Sequence, residues 1–309
     1  MRVWRHLERL GRRFRNPVVT LGNFDGVHLG HQAIVRRTVE RARELGGTAL
    51  ALTFEPHPVA VLMPAHAPAR LMDLHTRVAC LLELGLDYVV VQRFTPAFAE
   101  IEPEPFVRQW LIENLGVRGI VVGHRVRFGH FRRGDAALLQ RVCAECGVAV
   151  EIIGKVEVCG RLVSSSAVRS ALREGKLELA REMLGRPHTF AARVVRGHNR
   201  GKTLGFPTAN LDIRGLVLPP DGVYAVEVCF DGEWRPAVAN IGNNPTFGDQ
   251  DRSLEVHVLD FAGDLYGRRL WVRFLRFLRG EIRFASVDLL VEQIKRDIAD
   301  ARRVFSAQA

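Results

Sequence analysis

The chain has 309 residues, 47% hydrophobic and 25% charged, with a formal net charge of +10. Two domains fit that length at roughly 100–200 residues each, and the apolar content is ordinary for chains with buried cores. No apolar run approaches the ~20 residues a bilayer-spanning helix needs, and basic Met1–Asn16, lacking an apolar centre, is not expected to be a secretory signal.

From Pro17 to about Gly154 strand and helix patterns alternate. Apolar strand-like runs are Val18–Leu21, Ala49–Phe54, Tyr88–Val91, Ile120–Val122 and Val148–Ile153. Helical patterns lie between them at His31–Leu45, Leu74–Leu84, Phe106–Leu115 and Ala136–Cys146. Short apolar strands separated by helices predict an α/β domain with a parallel, Rossmann-like sheet covered on both faces. Ligands in such sheets sit beyond the carboxyl ends of the strands. Ser164–Arg173 reads as a helix with a serine cap. A further short helix ends at Gly185-Arg186-Pro187, where the boundary is placed: residues 1–185, then 186–309.

The second half changes character. Val223–Phe230 and Trp234–Ala239 flank Asp231-Gly232, a hairpin signal because both residues tolerate positive φ. Leu254–Leu259 alternates and Leu270–Leu278 is a long apolar strand. A small antiparallel β-barrel is expected, followed by a terminal helix capped by Ser286 with Leu290, Ile294 and Ile298 on one face.

Lysine supplies four of the 44 basic residues, so the positive charge is nearly all arginine. The arginines are scattered, in short runs such as Arg12-Arg13 and Arg132-Arg133, without aromatic interleaving. A nucleic-acid footprint should cluster on one face, so no nucleic-acid partner is expected; anionic small molecules such as ATP fit the charge. The five cysteines, with no secretion signal, read as reduced thiols of a cytoplasmic protein. Cys143-x-x-Cys146 lacks the second pair or histidines that a four-ligand zinc site needs.

Gly22-Asn23-Phe24-Asp25-Gly26-Val27-His28-Leu29-Gly30-His31 follows the first core strand and opens a helix. Glycines let the backbone turn sharply. The helix N-terminus offers N–H groups and a positive dipole end to phosphate, and His28 and His31 can add donors. The same residues alone also allow a histidine-capped turn or a two-histidine metal site.

Four blocks in order carry a wider likeness: Gly22–His31; Phe54-Glu55-Pro56-His57-Pro58; Arg127-Phe128-Gly129 with Gly134-Asp135; and Ser164-Ser165-Ser166-x-x-Arg169. Together they resemble the prokaryotic bifunctional riboflavin kinase/FAD synthetase family, through essentially the whole chain. The resemblance implies adenylyl transfer from ATP to FMN. It implies ATP contacts at Gly22, Asn23, Asp25, His28, His31, Ser164, Ser165 and Arg169, with His28 and His31 acting in catalysis. It implies flavin contacts at Phe54, Arg125 and Phe128. The family usually has Asp or Asn and then Phe before Arg-Phe-Gly. Here Arg125 and Val126 stand there, which leads us to expect altered flavin affinity and keeps open a kinase with an impaired adenylyltransferase domain.

Gly197 to Thr203 almost spells a P-loop, but three residues rather than four separate the glycines. Gly205 and Pro207 then prevent the helix a P-loop requires. The run Gly201-Lys202-Thr203-Leu204-Gly205-Phe206-Pro207-Thr208-Ala209-Asn210 instead resembles the riboflavin kinase domain, implying ATP contacts at Gly201, Lys202, Thr203, Gly205, Pro207, Thr208 and Asn210. Thr208 and Asn210 offer hard oxygens suited to Mg2+. Gly222-Val-Tyr224-Ala, Asn240–Phe247, Leu254–His257, Asp264–Gly267 and Gln293–Asp297 continue the likeness. Glu255 matches the family's general base, although alternation alone makes it a solvated strand residue. The resemblance thus implies ATP, riboflavin and FMN as substrates, FMN and FAD as products, no membrane partner, and a monomer or weak homo-oligomer.

Overall fold

The computed structural model describes residues 2–196, 204–243 and 252–307. The chain divides into two compact units, 1–69 with 77–165 and 70–76 with 166–309.

The first unit is built on a six-stranded parallel sheet of order β1-β4-β3-β2-β5-β6. Its strands are β1 Val3–Arg5, β2 Val18–Leu21, β3 Ala49–Glu55, β4 Tyr88–Arg93, β5 Gly119–Gly123 and β6 Ala149–Ile153. Every residue of β2 is buried, as a central strand covered on both faces requires. The edge strand β6 has no fully buried residue. Helices Leu29–Glu44 and Ala136–Glu145 sit close to the expected ranges. The segment expected as an α-helix at 106–115 winds more widely, as a π-helix over Phe106–Asn114. Leu7, Val19, Leu50, Val90, Leu111, Ile120 and Val142 belong to one core.

The chain runs from β2 to β3 and β4 on one side, then returns to place β5 and β6 on the other. The direction of winding therefore reverses between β2 and β5, which are hydrogen-bonded neighbours. In open parallel sheets the ligand crevice opens at that point, beyond the carboxyl ends of the strands. Gly22 and His124 follow those two ends.

A two-stranded ribbon, β7 Glu157–Val158 with β8 Arg161–Leu162, precedes helix Ser165–Arg173. The second unit then forms a closed barrel, β10-β13-β12-β11-β14-β9. Its strands are β9 Thr189–Val195, β10 Ala209–Leu211, β11 Gly222–Phe230, β12 Glu233–Asn243, β13 Arg252–Val258 and β14 Arg269–Arg279. All the ladders are antiparallel. Asp231 and Gly232 both take positive φ, 54° and 82°, the geometry a two-residue hairpin needs. Two strands of the barrel were not anticipated: β9, which puts Phe190, Ala192 and Val194 inside, and the three-residue β10.

The terminal helix Val287–Ser306 is capped by Ser286, whose hydroxyl accepts the Leu289 N–H. Ala301 and Val304 pack on Ala225 and Leu275. Arg279 on β14 grips buried Asp297 through two nitrogens, at 2.8 and 2.7 Å. Gln293 donates to the same carboxylate at 2.9 Å, so every charge in this clasp is matched.

Candidate functional site

The loop leaving β2 is shaped by backbone conformation. Phe24, Gly26 and Val27 all have positive φ, a region that a β-branched residue such as Val27 occupies rarely. The Val27 carbonyl accepts from the Gln32 side chain at 3.0 Å, and the Phe24 carbonyl accepts the Val27 N–H at 3.1 Å. The loop turns directly into helix Leu29–Glu44, whose N-cap is His28.

His28 is buried, and its Nδ1 accepts the His31 N–H at 3.3 Å. Its neutral ring therefore carries the proton on Nε2, which makes Nε2 a donor. The His31 ring stacks on it with centroids 3.7 Å apart. Gly30 permits this: a Cβ there would lie 3.2 Å from the His28 ring. Asp25 is also buried, and its carbonyl accepts the Ser165 hydroxyl at 2.8 Å. Gly22, Asn23, Asp25, His28, His31 and Ser165 are thus brought together. Ser164 immediately precedes helix Ser165–Arg173, and buried Arg169 lies one turn beyond Ser165 on it.

A supporting residue that sequence reasoning missed is Arg77. Its guanidinium is almost fully buried and donates to the Asn23 carbonyl at 2.9 Å and the Phe54 carbonyl at 3.3 Å. It also pairs with Glu55 at 2.6 Å. One cation so ties the loop after β2 to the end of β3. The only sequence signal is an arginine on the apolar face of an amphipathic helix. His57, from the Phe54–Pro58 block, supports the loop as well. Its Nδ1 accepts the Val59 N–H at 3.2 Å, and its Nε2 lies 3.1 Å from the Asn23 carboxamide. The atom facing Nε2 is the Asn23 carboxamide nitrogen, so the ring links the Asn23 side chain to the start of the helix at Pro58.

Of the expected flavin residues, Phe54 joins a chain of ring contacts through Phe98 and Phe106 to Phe128. Phe128 is buried within the core, so it supports that wall rather than presenting a face. It exchanges two backbone hydrogen bonds with Gly134, at 3.1 and 2.9 Å. A Cβ on Gly134 would meet the Phe128 ring at 2.7 Å. Asp135 then caps helix Ala136–Glu145. Arg125 is exposed just beyond β5, while Val126 packs against the core.

In the barrel, Glu255 on β13 is paired with Asn210 of β10 on one side and Asn240 of β12 on the other. Their sequence neighbours Ala209, Leu211, Leu254, Val256, Ala239 and Ile241 are buried inside. Alternation therefore sets Asn210, Glu255 and Asn240 in one row on the outer face. Thr208 Oγ1 donates to Glu255 Oε2 at 3.2 Å. Gly205 and Pro207 are exposed just before β10, and the Pro207 carbonyl accepts from His257 at 2.8 Å. Glu281 is a further carboxylate of this region that sequence reasoning missed. Its Oε1 would lie 2.0 Å from a Cβ on Gly242, so glycine leaves room for it. Gly201, Lys202 and Thr203, and residues 244–247 of the Asn240–Phe247 run, lie outside the described residues.

No set of three or more His, Cys, Asp or Glu is placed to hold a metal ion among the described residues. The hydroxyl of Thr208 and the carboxamide oxygen of Asn210 nevertheless fit Mg2+, which takes few protein ligands and keeps waters and substrate phosphates. No described helix is long and apolar enough to cross a membrane.

A glycine- and histidine-bearing loop at the reversal point of a parallel sheet, joined to a barrel with a carboxylate-centred polar row, is the build of a two-unit nucleotide-transferring enzyme. Residues 12–167 match the FAD synthetase family model and residues 184–305 the riboflavin kinase model. The chain is 43% identical over 289 residues to the bifunctional riboflavin kinase/FMN adenylyltransferase of Escherichia coli K12, covering 93% of this chain and 92% of that one. It is 44% identical to the protein of that name from Pseudomonas fluorescens, covering 100% and 99%. A crystal structure from Streptococcus pneumoniae, titled as a macrolide-efflux protein, superposes with a TM-score of 0.85 at 30% identity over 98% of this chain and 99% of that one. The chain belongs to the bifunctional riboflavin kinase/FMN adenylyltransferase family.

Proposed function

We propose that the barrel unit transfers the γ-phosphate of ATP to riboflavin, giving FMN and ADP, and that the parallel-sheet unit then transfers an adenylyl group from a second ATP to FMN, giving FAD and pyrophosphate. The observation that supports this reading is a separate polar constellation in each unit, His28 with His31 in one and Thr208, Asn210 and Glu255 in the other. The kinase module is taken to begin at 186, a reading supported by the kinase family match from 184.

In the kinase step Glu255 accepts the proton of the ribityl hydroxyl as that oxygen attacks the γ-phosphorus and ADP leaves. A carboxylate suits this role when it reaches within ~3 Å of the hydroxyl. Thr208 and Asn210 would hold Mg2+, which supplies neutralisation of phosphate charge. Gly201, Lys202, Thr203, Gly205 and Pro207 complete the ATP loop.

In the adenylyl step an FMN phosphate oxygen attacks the α-phosphorus of ATP and pyrophosphate leaves. No proton need move, so catalysis rests on alignment and charge stabilisation. His28 Nε2 and His31 donate to phosphate oxygens beside the helix N-terminus; Gly22, Asn23 and Asp25 shape the nucleotide site. Ser164, Ser165 and Arg169 form its second phosphate element. Phe54 and Arg125 meet the flavin, with Phe128 behind them.

The protein works in the cytoplasm as a monomer or weak homo-oligomer, without nucleic acid. A second reading, kinase activity alone, draws on exposed Arg125 and core-packed Val126 where an acceptor and a large ring are usual. Chromatography of riboflavin incubated with ATP and magnesium separates the two. FMN followed by FAD is expected; FMN that never becomes FAD selects the second reading.

A further inference from the structure

The first unit holds a cavity of about 300 Å³ at the amino end of its sheet. Pro17, Arg118 and Val148, which immediately precede β2, β5 and β6, line it. The phosphate loop follows the opposite end of β2. Four residues of strand separate the two, about 13 Å at the usual rise.

The walls of this cavity are one-signed. Arg12, Arg15 and Arg118 line it and no carboxylate does. None of the three makes an ion pair among the described residues, although carboxylates pair with Arg37, Arg41 and Arg43 elsewhere in the unit. Phe14 and Pro17 give the same cavity an apolar side.

The arginines are carried on a fixed frame. The Arg15 carbonyl accepts the Thr48 N–H at 3.0 Å, and the Pro17 carbonyl accepts the Arg118 N–H at 2.8 Å. Arg12 Nε donates to the Glu113 carbonyl at 3.2 Å, which leaves its two terminal nitrogens for a ligand. The Arg12 stem lies against Gly116, where a Cβ would come within 3.3 Å of it. Three like charges at one apolar-sided hollow repel one another until an anion sits between them. Guanidinium forks match phosphate oxygens in pairs, and the volume is at the lower end of small-molecule sites.

We propose that this cavity is a second binding site, apart from the phosphate loop, for a small organic phosphate: the phosphates on Arg12, Arg15 and Arg118, the apolar or planar part against Phe14 and Pro17. A nucleoside diphosphate has this chemistry.

Cys146, exposed at the rim with its thiol accepting from Arg108 at 3.3 Å, is a built-in reporter. Cys159 is exposed on the β7–β8 ribbon outside the cavity and serves as the internal reference. Iodoacetamide labelling of the full chain, read by peptide mass, is run with ADP, pyrophosphate or inorganic phosphate. Saturating ADP should slow labelling of Cys146 about fivefold or more, as mass action requires near four times Kd, and leave Cys159 unchanged. The protection should disappear in R12Q/R15Q/R118Q, weaken in Arg15→Glu alone, and persist in His31→Ala. All three arginines are exposed, so circular dichroism should show an intact fold in each variant. Absence of protection overturns the proposal, as does protection that survives the triple variant or vanishes with His31→Ala. Equal protection by inorganic phosphate or pyrophosphate overturns the organic half of the assignment.

Discussion

The two sites are constructed in opposite ways. The phosphate loop is made of backbone: positive φ at Phe24, Gly26 and Val27, a helix N-terminus, and a buried histidine cap. The barrel row is made of register: Asn210, Glu255 and Asn240 come from three strands and meet because β10, β13 and β12 pair as they do. A site of the first kind is contiguous in sequence and held by local sterics. A site of the second kind exists only once the sheet has closed, and its residues look ordinary one by one.

The largest effect expected from this contrast is at Glu255. Glu255→Ala should lower FMN formation by about 10³-fold, as loss of a general base does, while supplied FMN is still adenylated. Separate assays of the two steps test it, and retained kinase activity would remove Glu255 from its role. His31→Ala should do the reverse, lowering adenylation by about 10²-fold, as loss of one charge-stabilising donor does, and sparing FMN formation. Equal damage to both steps would mean that the two constructions are not independent.

Stability should divide along the same line. Asp297→Ala leaves Arg279 without its buried partner and should destabilise the barrel unit by about 3 kcal/mol, measured by denaturant unfolding. Adenylation of FMN by the folded variant should be unaffected.

The smallest effect concerns acid. His188 is buried beside Phe190 and Phe274, and burial pushes its pKa down to about 4. An unfolded histidine titrates near 6.5. As pH falls from about 6.5 toward 4 the unfolded chain binds the proton and the folded barrel does not, so stability is lost across that window. The loss between pH 7 and pH 5 should be on the order of 2 kcal/mol, and His188→Phe should flatten it. An unchanged pH dependence in that variant would clear His188.

The difference in construction also explains what was legible in the sequence. The parallel sheet showed itself through continuous apolar runs such as Val18–Leu21, and the loop through glycines at fixed spacing. The Asp231-Gly232 hairpin and the Ser286 cap were equally local signals. Arg77 was not visible, because the groups it joins lie 22 to 54 residues away. β10 is too short to show a period, and β9 mixes alanine with larger apolar residues. Glu255 alternates like any solvated strand residue, and only resemblance singled it out. Its contact with Thr208 spans 47 residues of sequence. The motif around Phe128 taught the opposite lesson: Gly134 and Asp135 are explained by a close ring and a helix cap, without a ligand.

The three-residue strand β10 has a consequence beyond pairing. It is the seam of the barrel, bonded to β13 on one edge and to β9 on the other, and its middle residue is Asn210. The stitch that closes the cylinder and the polar group beside Glu255 are one residue. The main chain of Asn210 closes the cylinder while its side chain stands beside Glu255, so proline, which lacks the N–H, is the substitution that would strike both at once.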